Sequence, residues 1–309
     1  FLLQSKGTDT VGSLFGPIML TWFLVIGILG LWQICNMPHI IKAISPWYGI
    51  KLAITHPKEI LPLLGFVVLC ITGAEALYAD MGHFGKTPIR LSWFALVLPS
   101  LLLNYFGQGA NLLTHPEAII SPFYLLAPEW FAFPLMIIAT LATIIASQAV
   151  ISATFSLTKQ AVLLGLYPHL PIVQTSGTKI GQIYVPQMNL ILAIGTLFLI
   201  LNFKSSAALT HAYGIAVNIE MLLTTICIMY LACKKWQWNW LLIVFLFVFF
   251  SLIDLIFLGA NIQKLDTGGW LPITFAMVCA LIMYTWHEGR TYIHKTYALK
   301  EKQLAKILK

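Results

Sequence analysis

Residues 241–258 read LLIVFLFVFFSLIDLIFL, eighteen positions in which Ser251 and Asp254 are the only polar side chains. A run of this length without a basic residue is long enough to cross a bilayer, whose hydrocarbon core is about 30 Å thick. The rest of the chain agrees with that reading. Of 309 residues, 59% are hydrophobic and only 9% are Asp, Glu, Lys or Arg, against about 25% in an average soluble domain. With a mean hydropathy of +0.85, there is too little polar surface to cover a water-soluble globule. A cytosolic enzyme, a nucleic-acid-binding domain and a disulfide-stapled secreted module are excluded on composition. Ten Trp and eleven Tyr suit a polytopic protein with aromatic belts at both interfaces. The formal charge of +7 comes from residues scattered over short connections, with Arg290, Lys295, Lys300, Lys302, Lys306 and Lys309 in a basic tail. Anionic lipid beside such a tail contributes about 1 kcal/mol per basic residue, so no nucleic-acid partner is expected. The five cysteines lie within or at the ends of apolar runs without metal-ligand or redox spacing, and read as inert packing residues.

Charged, Pro-rich and Gly-rich connections divide the chain into eight apolar runs, near 11–36, 60–82, 91–113, 130–156, 184–203, 207–233, 238–262 and 270–287. None alternates polar with apolar residues as a barrel strand would, so all eight are expected to be helices. An even number of crossings places both ends on one side. That side carries Lys6, Lys86, Arg90, Lys159, Lys179, Lys234, Lys235 and the six tail residues, whereas the other carries Lys42, Lys51, Lys58, Lys204 and Lys264. Basic residues concentrate in cytoplasmic loops, so both ends are expected in the cytoplasm of a multi-pass inner or plasma membrane protein. Residues 1–289 form the transmembrane domain and 290–309 a basic cytoplasmic tail. The chain opens inside an apolar segment without an initiator Met, which reads as a piece of a larger membrane protein.

An ionisable group at the centre of a span costs about 2.5–3.5 kcal/mol on insertion scales, which singles out Glu75, Asp254 and Glu220. Glu75 lies in Ile71-Thr72-Gly73-Ala74-Glu75-Ala76-Leu77-Tyr78-Ala79-Asp80. Thr72 and the helix-weakening Gly73 just before it could open the helix around a cation. Freed carbonyls, a Thr hydroxyl and a carboxylate are hard ligands for an alkali ion, and the carboxyl group can also take up a proton. The bland alternative is a neutral Glu bonded to a neighbouring helix. Asp254 reads equally as a second ion or proton ligand and as a buried group fixing helix packing. The third run ends in Asn104-Tyr105-Phe106-Gly107-Gln108-Gly109-Ala110-Asn111; two glycines and several carboxamides there suggest an interrupted helix lining a cavity. In the fourth run, Ser147-Gln148 leads a polar stripe through Ser152, Thr154, Ser156 and Thr158, which fits either a pathway or helix packing. Gly12-x-x-x-Gly16 permits close helix contact without naming a partner.

Several long signatures, in order, resemble the KUP/HAK/KT potassium uptake permease family, nearest its bacterial Kup-type branch. They are Gln4-Ser5-Lys6-Gly7-Thr8 with Gly16-Pro17-Ile18-Met19, Thr72 through Gly85, Asn104 through Ala110, Ile145 through Ser152, Ala212-Tyr213-Gly214-Ile215-Ala216-Val217 and Gly268-Gly269-Trp270-Leu271-Pro272. The resemblance implies an all-α, polytopic, amino-acid/polyamine/organocation (LeuT-like) fold of two inverted five-helix repeats plus two extra helices. Eight of about twelve helices would be present, the fifth to the twelfth, and the second run would be the broken helix of the second repeat. It further implies proton-coupled potassium uptake, a K+/H+ symport. Potassium would lie near Thr72 and Glu75, with Glu75 as coupling residue, Tyr213 as an aromatic group near the site and Asp254 as a further intramembrane acid. Tyr78, Asp80, Asn104, Gln108 and Ser147 are candidates for lining the pathway. The family's usual Ala-Val-Thr-x-Thr after Tyr-Gly-Ile is here Ala216-Val217-Asn218-Ile219-Glu220. No enzymatic role and no cofactor beyond the transported ions is implied; partners would be potassium, protons, lipid and the missing amino-terminal helices, with homodimer formation open. A passive potassium channel and a membrane scaffold or potassium sensor are the rival functions.

Overall fold

The computed structural model describes residue 1, residue 4 and residues 9–73, 85–174, 183–262 and 264–307. The main helices are α1 (Asp9–Asn36), α2 (Pro46–Thr55), α3 (Pro57–Ile71), α4 (Lys86–Thr114), α5 (Glu129–Leu163), α6 (Pro186–Phe203), α7 (Ser206–Lys234), α8 (Trp240–Ile262) and α9 (Trp270–Ile307). Seven helices among the described residues are long and apolar enough to span a membrane, all of these except α2 and α3. Proline opens α2, α3 and α6, where its fixed φ suits the first turn and its missing N–H is no loss. Ser205 caps α7 by accepting from the Ala208 N–H at 3.3 Å. At the end of α5 Gly165 takes φ +70°, and the Leu166 N–H reaches back to the Ala161 carbonyl at 2.9 Å, a left-handed stop that glycine adopts without strain. The sequence reading anticipated helices only. A two-residue hairpin pairing Val173 with Tyr184 and Gln174 with Ile183 also occurs, too short to show any period in the sequence.

The chain divides into two compact units, one of residues 1–51, 74–159 and 170–190, the other of residues 52–73, 160–169 and 191–309. In the first, α1 packs along α4. Gly16 of the Gly12-x-x-x-Gly16 pattern is not among the glycines at this contact, since a Cβ there would meet nothing within 4 Å. Gly27 and Gly30 of α1 meet Ser100, Leu103, Asn104 and Gly107 of α4 so closely that a Cβ at Gly30 would overlap the Leu103 carbonyl, and one at Gly107 the Gly30 backbone. The expected interruption around Gly107 and Gly109 is therefore corrected: the helix is regular from Leu98 to Thr114, and its irregular turn is a π-helical one at Trp93–Val97. Missing side chains there serve close approach, the commonest use of small residues between membrane helices.

In the second unit, α7 and α8 pack against each other, α3 packs on α8 and α7, and a π-helical turn at Leu265–Gly269 leads into α9. That turn explains the Gly268-Gly269 pair. Gly268 takes φ +142° against the Phe203 ring and the Ala208 carbonyl, and Gly269 lies against the Ile215 side chain. α9 then continues unbroken through residue 289, the expected edge of the membrane domain, to Ile307. The cysteines, read as packing residues, are mostly not in the core: Cys35, Cys70, Cys227 and Cys233 are exposed and Cys279 is half-buried.

Candidate ion site and its surroundings

α3 has 15 residues, about 22 Å at 1.5 Å per residue, which falls short of a hydrocarbon core of about 30 Å. It stops inside the apolar run, not at its end. The Thr72 N–H still bonds the Val68 carbonyl at 3.0 Å, but Thr72 itself is extended (φ −95°, ψ 176°) and Gly73 follows at φ +111°. Only glycine adopts that last conformation freely. At this end of α3 the buried Thr72 Oγ1 has no hydrogen-bond partner. A hydroxyl normally found bonded when buried therefore stands open at the point where the helix stops. Glu75, Tyr78 and Asp80 lie outside the described residues.

One turn before the break, α3 meets the start of α7: a Cβ at Gly214 would stand 3.7 Å from Leu69 Cδ2 and 3.2 Å from Asn261 Oδ1. Tyr213 adjoins this contact in sequence. Asn261 of α8 is fully buried and donates to the Phe257 carbonyl at 3.3 Å. Its Oδ1 accepts from Lys264 Nζ at 3.0 Å, and the same ammonium lies 4.2 Å from the centroid of the Phe66 ring. Gly65 of α3 completes the cluster, since a Cβ there would be 2.8 Å from Lys264 Nζ. Burial lowers the pKa of Lys264 below its usual value.

α7 and α8 run antiparallel and are cross-linked by polar groups. The Asn218 amide donates to the Phe257 carbonyl at 3.1 Å, and Thr225 Oγ1 donates to Asp254 Oδ2 at 2.7 Å. Asp254 is 6% exposed. It lies seven residues from Asn261, about 10 Å along α8, so the structure gives it a bond to α7 away from the Asn261–Gly214 contact. Asn218 Oδ1 and Ser251 Oγ are buried without partners. Glu220 is exposed on α7 and accepts from Thr224 Oγ1 at 2.9 Å.

In the first unit, Asn104 and Gln108 stand in the wall of a cleft of about 380 Å³ with Trp22, Tyr105, Phe123, Tyr124 and Thr143. Gln108 donates to Asn104 Oδ1 at 2.6 Å, and Asn111 donates to the Leu125 carbonyl at 3.2 Å. Ser147 is exposed and donates to the Ile144 carbonyl of its own helix at 2.8 Å. Thr154 and Thr158 likewise bond carbonyls four residues back, while Gln148 Oε1 accepts from Gln4 Nε2. Much of the α5 stripe is thus satisfied locally.

Residues 1–291 match the model of the K+ potassium transporter integral membrane domain. The chain belongs to this family. It is 57% identical over 309 residues to "Probable potassium transport system protein Kup 1" of Legionella pneumophila (strain Corby), covering 100% of this chain and 49% of the relative. It is 50% identical over 304 residues to "Probable potassium transport system protein Kup 2" of Chromobacterium violaceum, covering 98% and 49%. To the "Low affinity potassium transport system protein Kup" of Pectobacterium atrosepticum it is 52% identical over 290 residues, covering 94% and 47%. The chain spans about half the length of the curated relatives it matches. No solved structure matches it significantly.

For this member of the potassium transporter domain family, the sequence reading named Thr72 and the helix break as site features, counted Lys264 only among the loop charges, and did not name Gly65 or Asn261. A signal was present. Gly65 costs a helix about 1 kcal/mol relative to Ala and so calls for a packing reason, and Asn261 and Lys264 are three residues apart at the end of the most apolar run.

Proposed function

We propose that this chain supplies one wall of the ion site and much of the membrane scaffold of a proton-coupled potassium importer with a LeuT-like inverted-repeat fold and both ends of the chain on the cytoplasmic side. One observation carries the reading: α3 stops inside an apolar run, short of the length that crosses a bilayer, and leaves the Thr72 hydroxyl buried and unpaired. A desolvated alkali ion needs several oxygen ligands at one place. A broken span supplies them from backbone and hydroxyl without adding a permanent charge. Membership of the potassium transporter domain family and the names of the Kup relatives support potassium as the ion. Glu75, three residues after Thr72, is the group that would take up the coupling proton.

Replacing Thr72 by Val keeps the shape and removes the oxygen. Losing an oxygen partner to a charged group costs about 1.5–3 kcal/mol, so KM for potassium should rise about 10- to 100-fold. The measurement is rubidium-tracer uptake by the full-length protein carrying this sequence, in cells lacking their own potassium importers. An unchanged KM would remove Thr72 from the site. Glu75→Gln should abolish the dependence of influx on external pH; a retained pH dependence would assign coupling elsewhere and favour a passive conduit.

A further inference from the structure

The connection between α1 and α3 carries α2, none of whose residues is buried. Trp47, Ile50 and Ile54 stand at i, i+3 and i+7, so they share one face of the helix, and they are 63%, 51% and 71% exposed. Leu52, on the opposite face, is the least exposed large apolar residue of α2, at 40%. A Trp and two Ile left open to water are costly, and neither the proposed potassium ligand nor the α1–α4 seam makes use of them.

The chain on either side fixes where this helix lies. Before it, Ile40 packs on α4: a Cβ at Gly109 would stand 3.0 Å from Ile40 Cδ1. Gly109 is five residues before the end of α4 at Thr114, about 7.5 Å along the axis. Ile40 therefore lies below the rim of a helix long and apolar enough to span a membrane, and α2 begins six residues later. After it, only His56 separates α2 from the apolar helix α3. A helix of ten residues tied in this way is within reach of the headgroup layer, where the amphipathic ring of a Trp is at home. We infer that α2 lies in the membrane interface with Trp47, Ile50 and Ile54 seated in lipid. Helices of this kind sink their apolar face about 5–10 Å into the boundary between headgroups and acyl chains. A protein partner fits the stripe less well, because a stable protein interface buries about 800 Å² on each side, far more than three side chains present.

The test is a nitroxide scan of α2 in the full-length protein carrying this sequence, with its native cysteines replaced by Ala and rubidium uptake retained. The protein is reconstituted in vesicles of phosphatidylcholine and phosphatidylglycerol, and single labels are placed through Trp47→Cys, Ile50→Cys, Ile54→Cys, Tyr48→Cys and Thr55→Cys. Collisions are measured with oxygen, which concentrates in hydrocarbon, and with a nickel chelate, which stays in water. Labels at 47, 50 and 54 should collide more with oxygen than with nickel, and labels at 48 and 55 should show a lower oxygen-to-nickel ratio. Three labelled positions on the stripe guard against one variant that fails to reach the membrane. A nickel preference at 47, 50 and 54 would put the stripe in water and overturn the inference. Shielding of these three from both reagents would mean that protein covers them, and dipolar broadening between labels would name a second copy as the cover; either result also overturns it. So does one ratio shared by all five positions, which would show that α2 has no lipid-facing side.

Discussion

Gly30→Ala tests the α1–α4 contact with a single methyl group. A Cβ on Gly30 would overlap the Leu103 carbonyl and stand 2.7 Å from the Asn104 nitrogen. These are backbone atoms in mid-helix and cannot swing aside as a side chain could. The helices must therefore part, by about 1 Å if ordinary carbon contacts are to be restored. A gap of that size forfeits roughly a quarter to a half of the dispersion energy at each contact along the seam, and overpacking of this kind costs about 1–3 kcal/mol. The Asn104 amide, already 3.5 Å from the Ile26 carbonyl, would lose that partner, adding about 0.5–1.5 kcal/mol. Exchanging Gly for Ala in a helix returns about 1 kcal/mol. The net loss is about 2 kcal/mol, a fall in melting temperature of roughly 3 °C for a chain of this length. Heating the detergent-solubilised protein and following the folded peak by fluorescence-detected size exclusion measures it. Gly16→Ala is the matched control, because a Cβ at Gly16 meets nothing within 4 Å, and it should be neutral or slightly stabilising. If Gly30→Ala melted with Gly16→Ala, the close crossing of α1 and α4 would be refuted.

Two further outcomes follow from the second unit. Thr225→Val removes the donor to Asp254 Oδ2 without changing shape and leaves a buried oxygen unpaired, so it should destabilise by about 1–3 kcal/mol; a double-mutant cycle with Asp254→Leu should recover much of that loss, and strict additivity would show that the two do not interact. Gly268→Ala forces a side chain onto φ +142°, with its Cβ 2.9 Å from the Phe203 ring and 3.0 Å from the Ala208 carbonyl; it should lower thermal stability by about 1–3 kcal/mol while Gly259→Ala, whose Cβ would meet nothing within 4 Å, should not.

The membrane character and most helices were legible because hydrocarbon demands long apolar runs whatever the packing. The break after Ile71 was legible too, since a Thr followed by a Gly weakens a helix wherever it falls. What could not be read was which glycine meets which backbone. Gly12-x-x-x-Gly16 carries the familiar spacing and Gly16 meets nothing, whereas Gly27, Gly30 and Gly107 make the contact from two segments some seventy residues apart in sequence. Local pattern fixes the face a glycine occupies, but only the partner helix decides whether that face is used. The same limit hid Lys264. Its place between Asn261, Gly65 and Phe66 depends on α3 returning to the end of α8, and no periodicity in either run records that.

The distribution of satisfied and unsatisfied polar atoms separates scaffold from candidate site. In lipid a polar side chain is either cross-linked or costly. Asn104, Gln108, Asn111 and Asn261 all make hydrogen bonds, and Asp254, the acid in the most apolar run, is bonded to Thr225. These groups already do structural work, and moving an ion through them would require breaking it. Thr72 differs in kind. Its hydroxyl is buried and unpaired at the point where α3 ends and Gly73 turns to positive φ. Asn218 and Ser251, the other described residues of this unit with a buried unpaired oxygen, lie on α7 and α8, but within regular helix whose carbonyls are spent. Among the described residues of this unit, Thr72 alone places a buried unpaired oxygen at a helix end, and that is the observation on which the proposed ion ligand rests.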